Sequence, residues 1–204
     1  MVDGQDSAAR GRGRPGYDLE SLLAVVVSVF NERGYDGSSM EHLSARLGIS
    51  KSAVYHHVKS KQDLLQLALN RALDGLFAVA DQTRLLTTPA VDRLEYLVRG
   101  SVSVLQEQLP YVTLLLRVRG NTEIERTALD RRRKFDRYVT DLVKQAQTDG
   151  DIRTDVDATI TAHLLFGTVN SIVDWYRPTP GRSPDAVADA VCAMVFDGLR
   201  VLRG

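Results

Sequence analysis

The chain has 204 residues, of which 26 are Lys or Arg and 26 are Asp or Glu, so its formal net charge is zero. This length allows one or two domains with a sizeable core. Zero net charge excludes a protein that attracts nucleic acid through an overall basic surface, so any such binding must depend on local charge.

The single cysteine, Cys192, excludes an internal disulfide framework and favours a reducing compartment. It lies in an apolar run, which favours a buried structural thiol over a reactive one. The N-terminus lacks the apolar segment of a signal peptide, and the apolar stretches are too short or too charged to span a membrane. We therefore expect a cytoplasmic protein without a membrane partner.

Residues 1–16 are rich in Gly, Ser, Ala, Asp and Arg, a composition typical of disorder. Arg12 and Arg14 alternate with Gly before Pro15. The segment 11–16 formally matches a dinucleotide-binding fingerprint, but no strand precedes it and no βαβ unit follows, so we reject that interpretation. Two interpretations stay open, a solvated tail and a basic arm that enters the minor groove of DNA.

A helix-turn-helix pattern follows. Apolar residues at helical spacing predict a first helix from Asp18 to Arg33. Ser38, with Glu41 three residues later, has the pattern of a capping box and predicts the start of a second helix. Gly48 ends that helix, because a glycine readily adopts the left-handed conformation that follows a last turn.

Ser50 then caps a short helix from Lys51 to about Val58. Two short helices joined by a turn of three or four residues that contains a glycine are typical of the helix-turn-helix unit. The helix that begins at Lys51 carries a polar face where a core helix would not. Its cation, hydroxyls and imidazole suit phosphates and base edges. Lys61 falls in the first turn of the next helix. Its ammonium and the free backbone N–H groups of that turn could both meet a phosphate. The alternative is a small helical corner with a solvated basic face.

The segments Phe30-Asn-Glu-Arg-Gly-Tyr, Ser39-Met-Glu-His-Leu and Gly48-Ile-Ser-Lys-Ser-Ala-Val-Tyr-His-His-Val-Lys-Ser-Lys resemble the N-terminal domain of TetR-family transcriptional repressors. The resemblance runs without a gap from about Leu19 to Leu69. It implies a helix-turn-helix domain over residues 17–62 and a dimer that binds an inverted-repeat operator in double-stranded DNA. The candidate DNA contacts are Arg12, Arg14, Ser39, Lys51, Ser52, Tyr55, His56, His57 and Lys61.

Helical patterns continue over residues 63–204, so we predict an all-α fold with a second helical domain. One helix runs from Lys61 to about Asp81, and Pro89 breaks the chain. Ile160–Val173 and Val187–Phe196 are apolar almost all round, which predicts that each also contacts a second subunit in a homodimer. A core pair within a monomer is the alternative. The candidate interface residues are Leu165, Val169, Ile172, Val191, Met194 and Val195.

The sequence contains none of the common catalytic or metal-binding motifs, so we expect no enzyme, no metal and no cofactor. The second domain is similar in layout to the ligand-binding and dimerisation domain of the TetR family, and we expect a pocket between its helices. Basic residues near its walls suit an acyl-CoA, a fatty acid or an aromatic acid. The candidate pocket residues are Leu97, Leu115, Leu116, Arg119, Phe135, Tyr138, Phe166, Asn170 and Trp175.

The expected function is therefore a transcriptional repressor that a small-molecule effector releases from DNA. Two other classes remain open. One is a dimeric helical ligand-binding module without specific DNA readout, and the other is a small helical enzyme.

Overall fold

A computed structural model describes residues 18–179, 183 and 185–199, and in these residues the regular structure is helical. The predicted arm residues Arg12 and Arg14 lie outside the described residues. The helices are α1 (Leu19–Arg33), α2 (Met40–Leu47), α3 (Lys51–Tyr55), α4 (Lys61–Leu85), α5 (Ala90–Glu107), α6 (Leu109–Arg117), α7 (Glu123–Thr148), α8 (Ala158–Trp175) and α9 (Ala186–Leu199).

Helices α1 to α3 form the N-terminal unit. Asp18 caps α1 by accepting a 2.7 Å hydrogen bond from the Ser21 backbone N–H, and Gly34 ends the helix with a φ of 77°. Val26 and Leu43 are fully buried, so the apolar stripe of α1 packs against α2 as the periodicity predicted.

The predicted capping box of α2 was wrong by one residue. Ser39, not Ser38, is the N-cap and accepts from the His42 backbone N–H at 3.2 Å. His42 Nδ1, not the Glu41 carboxylate, returns the bond by accepting from the Ser39 backbone N–H. Ser38 is buried instead, and its hydroxyl donates to the Gly34 carbonyl at 2.7 Å.

Helix α4 joins the N-terminal unit to the rest of the chain. Ser60 caps it as predicted, but it ends at Leu85 rather than near Asp81. It packs against α1 at one end and against α5, α6 and α7 along its length. The predicted boundary at residues 62/63 falls inside α4, and this helix packs against both parts of the chain.

Helices α5 to α9 pack around α4 and around each other, with α7 against α4, α5 and α8, and α9 mainly against α5. The α4–α5 contact is close at Gly100, where an added Cβ would lie 2.4 Å from Val79 Cγ1. Cys192 is buried, and this burial raises the pKa of its thiol to about 11. The prediction of a buried structural thiol is thus confirmed.

Between residues 18 and 199, as far as they are described, every helix is too short or too polar to cross a bilayer.

Candidate DNA-binding surface and effector pocket

The exposed side of α3 is the first candidate site. Val54 is fully buried and anchors the helix, while Tyr55 on the other side keeps 45% of its surface exposed. Lys51 and Ser52 in α3, and His56 and His57 just after it, are also exposed. The structure therefore places the predicted reading residues on one solvent-facing surface.

Two cations, one in α3 and one in α2, are paired within the chain. The Lys51 ammonium donates to Glu41 on α2, and this bond lowers the pKa of the Glu41 carboxyl to about 2. Arg46 forms a 3.0 Å ion pair with Glu32 on α1. The sequence stretch from Arg46 to Lys61 lacks acidic residues, but the fold supplies carboxylates from outside it. The basic character of this surface is consequently weaker than the sequence suggests.

Ser39 and Lys61 already have structural partners. The Ser39 hydroxyl accepts the α2 cap bond at 3.2 Å, and it lies close enough to the Glu41 carboxylate to help lower the pKa of that group. The Lys61 ammonium donates to the Tyr35 carbonyl at 2.9 Å and to the Ser38 carbonyl at 2.8 Å. The Lys61 ammonium therefore already binds two main-chain carbonyls of the protein, whereas the sequence had suggested a phosphate as its partner.

The second candidate site is a narrow pocket between α4, α5, α6, α7 and α8, with a cavity volume of about 40 Å³. Its wall is mainly apolar, and Arg132, Asp136, Asn170 and Ser101 are its polar groups. Five predicted residues line it, namely Leu115, Leu116, Phe135, Phe166 and Asn170. The rings of Phe77, Phe135 and Phe166 form a chain of edge-to-face contacts, with centroids 6.1 Å and 5.2 Å apart.

The other four predicted pocket residues do not line it. Leu97 is fully buried on α5, and Tyr138 packs its ring under the Arg84 guanidinium at 4.3 Å. Trp175 is 54% exposed at the end of α8, and Arg119 is exposed after α6.

Arg132 supplies the cation that Arg119 was expected to provide, and it faces Asp136 one turn along α7. Burial raises the pKa of the Asp136 carboxyl, while Arg132, His163 and Arg137 oppose that shift. The mouth of the pocket thus carries both signs of charge. The sequence suggested only positive charge here, because the basic run at residues 131–134 of α7 ends before Asp136.

The outer face of α8 and α9 is the third feature. The predicted interface residues Leu165, Val169, Ile172 and Val191 are between 1% and 6% exposed within one chain. Such residues offer little surface to a partner in this conformation, and their assignment to an interface stays a prediction. Met194, 77% exposed, fits the prediction, and Val195 is half-buried.

The exposed apolar residues of α8 are instead Ile160, Leu164 and Trp175, which are 54%, 65% and 54% exposed. Ile160 and Leu164 are one turn apart, on the side of the helix opposite its buried residues. A Cβ added at Gly167 or Gly198 would meet nothing within 4 Å, so this face is open.

Helix α6 connects the pocket to α1. Its residues Val112, Leu115 and Leu116 line the pocket. At its two ends, Asn31 Nδ2 donates to the Pro110 carbonyl at 2.8 Å and Arg117 donates to the Asn31 carbonyl at 2.8 Å. The last turn of α1 is therefore bound to both ends of α6.

Comparisons with known proteins agree with this architecture. The sequence profile described as "Bacterial regulatory proteins, tetR family" matches residues 22–68, and "Tetracyclin repressor-like, C-terminal domain" matches residues 87–199. The chain belongs to the TetR family of transcriptional regulators. Among its relatives are the HTH-type transcriptional repressors KstR2 of Mycolicibacterium smegmatis, 24% identical over 94% of this chain and 95% of that protein, and of Rhodococcus jostii, 26% identical over 92% and 93%.

Solved structures show the same fold. A TetR-family regulator from Streptomyces coelicolor A3 is 55% identical, with a TM-score of 0.83 over 90% of this chain and 92% of that chain. AibR, solved in complex with isovaleryl coenzyme A and operator DNA, is 26% identical, with a TM-score of 0.73 over 87% and 97%.

Proposed function

We propose that this protein is a homodimeric repressor that binds an inverted-repeat operator and releases it when a small molecule fills the pocket. The observation that carries the proposal is the exposed polar side of α3 above the buried Val54. A helix anchored on one side and polar on the other can enter a major groove without losing its core contacts.

In this proposal the residues of the α3 surface divide into two groups. Tyr55, with Lys51, Ser52 and His56, reads or flanks base edges, where hydroxyls, imidazoles and ammonium groups find partners. Ser39 and His57 hold phosphates, which fix register without reading sequence. To reach DNA, Lys51 exchanges its Glu41 partner for a DNA acceptor. Arg12 and Arg14 form the proposed minor-groove arm.

The dimer is proposed to form through the outer face of α8 and α9, around Leu164 and Met194. These residues are 65% and 77% exposed in a single chain, and large apolar side chains with this exposure favour a partner surface. Two-fold symmetry would present two copies of α3 to half-sites about 34–36 Å apart, or to multiples of that spacing.

The proposed effector has an apolar body and a polar end, as an acyl-CoA, a fatty acid or an aromatic acid has. The edge-to-face rings of Phe135 and Phe166, which line the pocket, suit the apolar body, and Arg132 and Asn170 suit a carbonyl or carboxylate. AibR binds isovaleryl coenzyme A, which supports an acyl thioester among these classes.

Helix α6 is the proposed route from pocket to DNA. A ligand that displaces Leu115 or Leu116 would move the Asn31 and Arg117 contacts and hence α1. An effector that shifts the two states from 1:99 to 99:1 must bind the released state more tightly by about 5.5 kcal/mol.

Selection of bound sequences from a random DNA pool, at a stated salt concentration, tests the DNA-binding half of this proposal. We expect enrichment of an inverted repeat, which then serves to screen acyl thioesters and free acids for release. Recovery of unselected sequences alone would instead support the dimeric ligand-binding module without specific readout.

A further inference from the structure

Lys61 is the cation with the most structural partners near α3. Besides its two bonds to the Tyr35 and Ser38 carbonyls, its ammonium lies 4.2 Å from the centre of the Tyr35 ring. An ammonium has three donors, and two of them are occupied by main-chain oxygens. Charge-assisted bonds of this kind, partly buried, are stronger than those between neutral groups.

These contacts join the two ends of the helix-turn-helix unit. Ser38 immediately precedes the N-cap of α2, while Lys61 is the first residue of α4 and follows α3 by a short turn. The bond to the Ser38 carbonyl closes a loop of 23 residues that contains α2 and α3. The orientation of α3 relative to α4 therefore depends on this closure.

The segment that receives the ammonium is itself held in place. The Tyr35 ring packs edge-to-face on Phe30 with centroids 5.3 Å apart, and the Ser38 N–H donates to the Tyr35 carbonyl at 3.2 Å. Gly37 has no room for a side chain, because an added Cβ would lie 2.6 Å from the Arg33 carbonyl oxygen. Lys61 thus binds a preformed site rather than a loose loop.

The side chain of Lys59, two residues earlier, is in the opposite situation. It is exposed, and it makes no hydrogen bond or ion pair with any residue that the structure describes. Only its backbone N–H is used, donating to the Asp63 carboxylate at 2.9 Å. That carboxylate also places a negative charge at the α4 N-terminus, where a phosphate was expected to meet free N–H groups.

We infer that Lys61 is a positioning residue that locks the helix-turn-helix unit onto α4, and that Lys59 supplies the phosphate-binding cation of this turn. The locking role stands on the protein's own contacts. The role of Lys59 rests on the proposed DNA-binding function.

Three variants of the full-length protein separate the two roles, namely Lys61→Met, Lys61→Arg and Lys59→Met. Methionine keeps the apolar stem but removes the charge in both positions. Arginine keeps the charge, and a phosphate contact would tolerate it, whereas a site fitted to an ammonium between two carbonyls would not. The readouts are the melting temperature without DNA and the slope of log Kobs against log salt concentration.

We expect Lys61→Met and Lys61→Arg to lower the melting temperature by about 4–8 °C, and Lys61→Met to leave the salt slope unchanged. We expect Lys59→Met to leave the melting temperature unchanged and to make the slope shallower by about 0.9 for each phosphate that the side chain neutralises in the parent.

Three results would overturn the inference. One is a Lys61→Met variant that melts like the parent and has a shallower slope, and another is a Lys61→Arg variant that matches the parent in both readouts. The third is an unchanged slope in Lys59→Met. If the parent shows no DNA binding, the proposed function fails, but the melting temperatures still decide the locking role.

Discussion

Truncation of Leu164 on α8 is the sharpest test of the proposed dimer. Leu164 is 65% exposed within one chain, so Leu164→Ala should hardly change the packing of the monomer. Full burial of a Leu side chain contributes about 1.5–3 kcal/mol. Only the exposed part of Leu164 can be newly buried in a dimer, and Ala would still bury its methyl. Each copy of Leu164 therefore contributes about 1–1.5 kcal/mol more to dimer formation than Ala would.

A two-fold interface contains the residue twice, so the loss is about 2–3 kcal/mol per dimer. This corresponds to a dissociation constant that is about 30- to 150-fold higher. Sedimentation equilibrium over a concentration series measures it directly. Leu85→Ala is the matched control, because Leu85 is 83% exposed but lies at the end of α4, away from α8 and α9.

The expected pattern is a weakened dimer for Leu164→Ala and a dimer of parental affinity for Leu85→Ala. A Leu164→Ala protein that dimerises as tightly as the parent would refute the placement of the interface. Equal effects of both substitutions would show that the assay responds to general loss of apolar surface instead.

Three further predictions follow from contacts inside the chain. Gly100→Ala should destabilise the fold by about 1–3 kcal/mol, because its methyl would overlap the β-branched Val79, and Val79→Ala should recover part of this loss in urea unfolding. Asp136→Asn should stabilise the unliganded protein at neutral pH, because burial raises the folded-state pKa of the Asp136 carboxyl above its ordinary value. The gain in stability should be complete at pH values above the folded-state pKa of Asp136. It should be absent below the unfolded-state pKa, where both states bind the proton. Unfolding at a series of pH values tests this. Arg117→Ala should leave operator affinity near that of the parent but reduce several-fold the effect of a releasing ligand on that affinity, because one α6–α1 bond is removed. Operator titrations with and without ligand measure this coupling between ligand and DNA binding.

Much of the fold could be predicted because its signals are local. The periodicity predicted a first helix from Asp18 to Arg33, and the structure has α1 at Leu19–Arg33 with Asp18 as its N-cap. Gly48 was expected to end α2 in the left-handed conformation, and its φ is 67°. The polar side of the short helix α3 was predicted from its side chains, and Lys51, Ser52 and Tyr55 are exposed there.

The sequence could not predict features that depend on which neighbour a side chain meets. Glu41, three residues after Ser38, made Ser38 the better cap in the sequence, but in the fold the Ser38 hydroxyl is buried against the Gly34 carbonyl and Ser39 is the cap. Helix α8 is apolar on most sides, so periodicity could not separate the internal Leu165 from the exposed Leu164. The Lys51–Glu41 pair joins two helices that the sequence treated separately.

The central claim is that the exposed side of α3 reads DNA, and the affinity of a Tyr55→Ala variant for the selected operator tests it most directly. Tyr96→Ala is the matched control, because Tyr96 is 41% exposed on α5 while Tyr55 is 45% exposed on α3. With the melting temperature of both variants near that of the parent, we expect Tyr55→Ala to lose about 1–3 kcal/mol of operator binding per half-site, and Tyr96→Ala to lose none. Operator binding by Tyr55→Ala at parental affinity would contradict the account.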